Sequence, residues 1–192
     1  MERLQALGAS VEVPDLASGD FEHLTITGQL RIIEDVLGTE PAVLVGSSLG
    51  GYLAALFAAK HTSVQRLILL APAFHFRRLW KERLGETGWQ RWQQEGTLSV
   101  YHYALAGEAA IAFDLMRDAE AYPAQPDFKQ PALIFHGTKD DVVPLASSVE
   151  FVQTHPNARL ITLDSGHELT DALDTIWHES ETFLYPSKAH FE

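Results

Sequence analysis

The sequence predicts an α/β protein, a mostly parallel sheet with helices on both faces. Three observations carry that expectation. Short β-rich runs alternate with segments of helical periodicity along most of the 192 residues. Several of the runs are continuously apolar, as in residues 42–46 (AVLVG), the pattern of a strand covered on both faces. A Gly-Ser-Ser-Leu-Gly-Gly stretch, residues 46–51, joins one such strand directly to a helical segment.

Taken in order, residues 10–16 (SVEVPDL) read as a strand stopped by Pro14. Residues 25–38 read as a helix, with Leu30, Ile33 and Leu37 spaced by three and four and Gly38 as the stop. The AVLVG strand and a helix with Leu49, Tyr52, Leu53, Leu56 and Phe57 on one face come next. Residues 66–72 (RLILLAP), 131–137 (PALIFHG) and 158–166 (ARLITLDSG) repeat the strand pattern. A last helix carries Leu169, Ala172, Leu173, Ile176 and Trp177 on one stripe.

The rhythm breaks between Pro72 and Gln130. That block has helical patterns, no convincing buried strand, and many large aromatics: Phe74, Phe76, Trp80, Trp89, Trp92, Tyr101 and Tyr103. It reads as a helical insertion at about residues 73–128, capping one end of the sheet of a single domain. The bland alternative is that the rings form only the insertion's own small core.

Bulk properties narrow the function. A net charge of −12 disfavours nucleic acid and anionic lipid as partners. With no cysteine, a disulfide, a zinc-thiolate site or a thiol nucleophile is ruled out. No apolar run is long enough for a bilayer span and the first residues lack a signal-peptide core, so a cytoplasmic location is the expectation.

The polar pair Ser47-Ser48 inside an apolar stretch carries the chemistry. Gly46-Ser47-Ser48-Leu49-Gly50 fits G-x-S-x-G between a buried strand and a helix, a turn that exposes the central serine oxygen. Neighbours two positions away must be small. Ser48 has Gly46 and Gly50 there, whereas Ser47 has Val45 and Leu49. Ser48 is therefore the candidate nucleophile, and the N–H of Leu49, at the helix start, the candidate oxyanion donor.

A serine hydroxyl needs a base, and the base an orienting acid. HGTKDD, residues 136–141, offers Asp140 or Asp141 just after a strand, with a cap on the following helix as the alternative role for either. DSGHEL, residues 164–169, offers His167 after another strand. His136, at a strand end, reads as structural; His61, His155, His178 and His190 read as surface or helix-end residues. A neutral imidazole base predicts activity that falls below about pH 6.5, histidine's ordinary value.

These motifs, from VEVPDL through GSSLGG and HGTKDDVVP to DSGHEL, resemble an α/β-hydrolase over nearly the whole chain. VEVPDL followed by DFEHLT before the serine is similar to small bacterial esterases of the YqiA/YcfP type. The resemblance implies a Ser48–His167–Asp140 triad, with Asp140 favoured by the H-G-x-x-D spacing. It also implies hydrolysis of a carboxylic ester or thioester through an acyl-serine, with no metal or organic cofactor. A peptidase of the same fold and a catalytically silent ligand-binding protein are the rivals.

One element of the resemblance has no counterpart. Such proteins begin with a buried strand ending in His-Gly, whose loop gives a second oxyanion donor. Residues 1–9 (MERLQALGA) resemble instead the helix after that loop. A chain that starts downstream of the strand is the expectation, a variant sheet the alternative. The basic FHFRRLWKER stretch names Arg77 and Arg78 as candidates for an anionic substrate group such as CoA phosphates, against a plain solvated helix face.

Overall fold

The structure, a computed structural model, describes residue 5, residues 8–102 and residues 107–186, except the side chain of His102. Most of residues 1–9 and Tyr103 therefore lie outside the described residues, as does His190. The elements run α1 (Ile26–Leu37), β1 (Ala42–Ser47), α2 (Leu49–Ala58), β2 (Val64–Leu70), α3 (Phe76–Glu95), β3 (Thr97–His102), β4 (Gly107–Ala112) and α4 (Asp114–Asp118). They continue with β5 (Ala132–Gly137), α5 (Leu145–Thr154), β6 (Ala158–Leu163) and α6 (Leu173–Leu184).

Four strands form one parallel sheet in the order β1-β2-β5-β6. Alternation along each strand sorts the side chains onto two faces. Leu67 and Leu69 of β2 and Ala132 and Ile134 of β5 face α1, α2 and α5, meeting Ile26, Leu53, Phe57 and Phe151. Ile68, Leu133, Phe135 and Leu163 point the other way, into a smaller cluster closed by Leu169 and by Ile176 of α6. Each such side chain contributes about 1.5–3 kcal/mol by leaving water. Helix α2 is buried nearly all round rather than on the single face its periodicity suggests.

Two strands differ from expectation. Residues 10–16 form no strand, and Val13 is 70% exposed. The alternation of Val11 and Val13 about Glu12 supplies a strand-like pattern, but a strand holds only when a neighbour accepts its hydrogen bonds, and none does here among the described residues. Accordingly β1 is a sheet edge, with Val43 40% and Val45 54% exposed, not a strand covered on both faces.

The block between β2 and β5 is not wholly helical. β3 and β4 pair as an antiparallel hairpin, from Thr97 opposite Ala112 to His102 opposite Gly107. It is a thin ribbon outside the main sheet, without the buried apolar run that marks a strand in sequence. Helix α3 is two helical pieces meeting at Gly85, whose φ of 65° and ψ of 173° suit glycine.

The insertion's rings join the main core. Tyr52 of α2 stacks on Phe76, Phe76 meets Trp80 edge-on, and Trp80, Trp92, Trp89 and Phe113 continue the chain of rings. Trp92 Nε1 donates to the Ile111 carbonyl, so its polar edge is satisfied while buried. Asp118 clamps the start of α1, accepting from the Thr27 N–H and hydroxyl at 2.7 Å each, where a carboxylate also meets the helix dipole favourably. Helix α6 starts at Leu173, which is exposed, after a short 3₁₀ turn, so the buried stripe is narrower than its sequence spacing implies.

Candidate active site

Parallel strands present all their carboxyl ends along one edge of the sheet, and the candidate residues follow three of those ends. Ser48 follows β1, Asp140 follows β5, and His167 follows β6.

Ser48 occupies the turn between β1 and α2 with φ 51° and ψ −117°, a strained conformation for a residue with a side chain. Backbone bonds hold it there. Its N–H donates to the Leu70 carbonyl at 2.8 Å, and its own carbonyl accepts from Tyr52 at 3.2 Å and Ala73 at 3.0 Å. A Cβ on Gly46 would overlap the Gly50 carbonyl, so glycine is required there. Gly50 itself faces open space, contrary to the sequence argument. Gly51 is the other close approach, where a Cβ would lie 3.1 Å from the Gly46 carbonyl and from Pro72. Ser47 is exposed on the strand edge.

Leu49 is the first residue of α2, so its N–H is among the four without an intrahelical acceptor. That leaves the donor free for an anion at the Ser48 oxygen.

The two acidic candidates separate sharply. Asp140 has a fully enclosed side chain, with Oδ2 2.8 Å from His167 Nδ1. Its Oδ1 accepts from the N–H groups of Val142 and Val143 at 2.9 and 2.8 Å, so it orders the turn before α5 as well. Asp141 is exposed. Burial pushes the Asp140 carboxyl up, but hydrogen bonds from His136, His167, Val143 and Val142 outweigh it and hold the group well below the usual carboxylate range.

Glycines shape the histidine loop. A Cβ on Gly137 would overlap the carbonyls of Ser165 and Gly166, so the loop carrying His167 lies directly on the end of β5. The Ser165 hydroxyl donates to Asp171, and Thr138 and Lys139 donate to the Leu163 and Ser165 carbonyls at 2.8 and 3.0 Å. Among the described residues no hydrogen bond joins the Ser48 hydroxyl to His167. Of the three candidates, Asp140 and His167 are joined by a hydrogen bond.

Other candidates fall elsewhere. Arg77 is engaged three ways, by Glu120, by the Met116 carbonyl at 3.2 Å, and over the Trp89 ring. Arg78 is 3.7 Å from Glu82. Both line a cleft of about 470 Å³ with Tyr52, His75, Phe76 and Tyr122, a lining that includes none of Ser48, Asp140 and His167. His155, read as a surface or helix-end residue, caps the end of α5 and is buried against Phe151 at a ring distance of 3.8 Å. His136, read as structural, touches Asp140, a contact the H-G-x-x-D spacing permits but does not announce.

Parallel sheet, covering helices and strained serine turn together define an α/β-hydrolase fold. A 25%-identical protein of Agrobacterium vitis S4, which bears a provisional hydrolase name, superposes with a TM-score of 0.69 over 82% of this chain and 68% of its own. Mouse α/β hydrolase domain-containing protein 10 (22% identity, TM-score 0.70) is covered to 76%, over 94% of this chain. Est1E from Butyrivibrio proteoclasticus (21%, TM-score 0.67) is covered to 70%, over 84% of this chain. The chain belongs to UPF0227, described as an uncharacterised protein family, which it matches over residues 1–182. No curated protein matches it in sequence. Among the described residues no helix is long and apolar enough to cross a membrane.

Proposed function

We propose that this protein is a serine hydrolase that cleaves a carboxylic ester or thioester through an acyl-serine. The carrying observation is the 2.8 Å bond between Asp140 Oδ2 and His167 Nδ1. It sets the imidazole tautomer, leaving Nε2 as the free acceptor a general base needs. Ser48 Oγ attacks the carbonyl carbon and its proton passes to His167 Nε2. Asp140 stabilises the imidazolium, and the Leu49 N–H stabilises the oxyanion. The imidazolium returns the proton to the leaving group, and water, activated by the same ring, releases the acid. The insertion begins beside this site, since the Ala73 N–H donates to the Ser48 carbonyl.

Intact-mass analysis after fluorophosphonate treatment tests the reading, with Ser48→Ala as control. One adduct, lost in Ser48→Ala, is the expected result. A folded protein that takes no adduct supports the second reading, a silent binding protein of the same fold.

A further inference from the structure

Asp140 carries a second imidazole. His136 ends β5 with its ring fully enclosed, and its Nε2 lies 2.8 Å from the Val143 carbonyl and 3.2 Å from Asp140 Oδ2. Both neighbours only accept, so Nε2 carries a hydrogen. Nδ1 lies 2.7 Å from the hydroxyl of Ser148, which is also fully buried on α5. A neutral ring with Nε2–H leaves Nδ1 as an acceptor, and the hydroxyl donates to it. Ser148 thus bonds His136, the His136 N–H bonds the Val143 carbonyl, and the same N–H lies 3.2 Å from the Asp140 oxygen that His167 meets. A polar ring between Phe135 and Gly137 in the sheet interior is costly unless every polar atom is paired, and here every one is.

We propose that His136 is a positioning residue, whose Nε2–H fixes the orientation of Asp140 and draws part of its charge away from His167. The proposal rests on Asp140 and His167 being the acid and base of the triad. Two donors on one carboxylate oxygen share its charge, so removing the His136 donor leaves more of it on His167. The His167 imidazolium is then favoured, and its titration moves to higher pH. Of the other ionisable groups on the surrounding elements, His155 at the end of α5 is buried against Phe151 and His75 is mostly enclosed, while the rest face solvent. Lys139 pairs with Asp164 at 2.8 Å, Asp171 accepts from Ser165, Glu150 lies 3.7 Å from His75, and Asp141 and Glu168 are exposed.

The test is nitrogen NMR of the full chain carrying ¹⁵N-histidine, with rings assigned by substitution. The wild-type His136 ring is expected as the Nε2–H tautomer. In His136→Leu/Ser148→Ala, which removes the donor and its would-be orphan together, the His167 midpoint rises by about one pH unit. In His136→Gln, which returns an N–H near the Nε2 position, it stays close to wild type. A purely structural histidine would lower the melting temperature of both variants and leave the midpoint alone. A Nδ1–H tautomer in the wild type, or an unmoved midpoint in the folded double variant, overturns the proposal. Should the double variant fail to fold, the wild-type tautomer and the smaller upward shift expected in Ser148→Ala decide. Absence of a fluorophosphonate adduct alongside the expected shift removes the hydrolase reading and leaves the coupling. An adduct without the shift removes the coupling alone.

Discussion

Strands β1 and β5 each end in a turn that carries a candidate site residue, yet they stand in opposite surroundings. All six residues of β5 are buried, and its turn delivers Asp140 into three hydrogen bonds and a 3.2 Å contact with His136. β1 lies at the sheet edge with two valines in water, and its turn delivers Ser48 through backbone bonds to Leu70, Tyr52 and Ala73. Asp140 thus stands at the end of an interior strand, whereas Ser48 and His167 follow the two edge strands, β1 and β6.

Core truncation separates the strands most strongly. Phe135→Ala should cost about 4 kcal/mol in urea unfolding, whereas Val45→Ala should change stability by less than about 0.5 kcal/mol. Equal losses would mean that β1 is as enclosed in solution as β5. The glycines give a finer comparison, because an added methyl overlaps backbone carbonyls at both. Gly137→Ala should cost roughly 3 kcal/mol by pushing the histidine loop off β5, and Gly46→Ala about half that, since an edge strand can yield. A larger loss at Gly46 would reverse the order of rigidity.

The comparison that depends on pH belongs to the Asp140 charge. Its folded-state pKa is depressed, so the stability it contributes is complete above the ordinary carboxylate value of about 3.9 and is lost as the pH falls through the folded value. Acid unfolding of the wild type should therefore steepen below about pH 4. The same titration of Asp140→Asn should be flatter there, and identical curves would mean the carboxylate is not ionised in the fold.

Much of this was legible in the residues. The strands at 66–72, 131–137 and 158–166 are recognisable because each contributes apolar side chains to both faces, a property of the segment alone. The serine turn was legible because Gly46 is forced by the chain's own crowding at Gly50. What failed depended on partners. Residues 10–16 carry a strand pattern without a neighbour, and β3–β4 are strands whose Ala109 and Ala110 read as helix formers. The role of Arg77 depended on Glu120 across the insertion. His136 was seen but not its contact with Ser148, which only the docking of α5 brings about.

The pairing of β2 with β5 bears on how the chain reaches its fold. Leu67 pairs with Ala132 across the entire insertion, so the central junction of the sheet is a contact of long sequence separation. Such contacts bear a loop-closure entropy before any of their stabilisation is realised, and they slow folding. During synthesis, β2 emerges with β1 as its one available partner, and its other edge stays unpaired until β5 has been made. Through that interval the nascent half of the sheet offers open strand edges, the condition under which chains aggregate or engage chaperones.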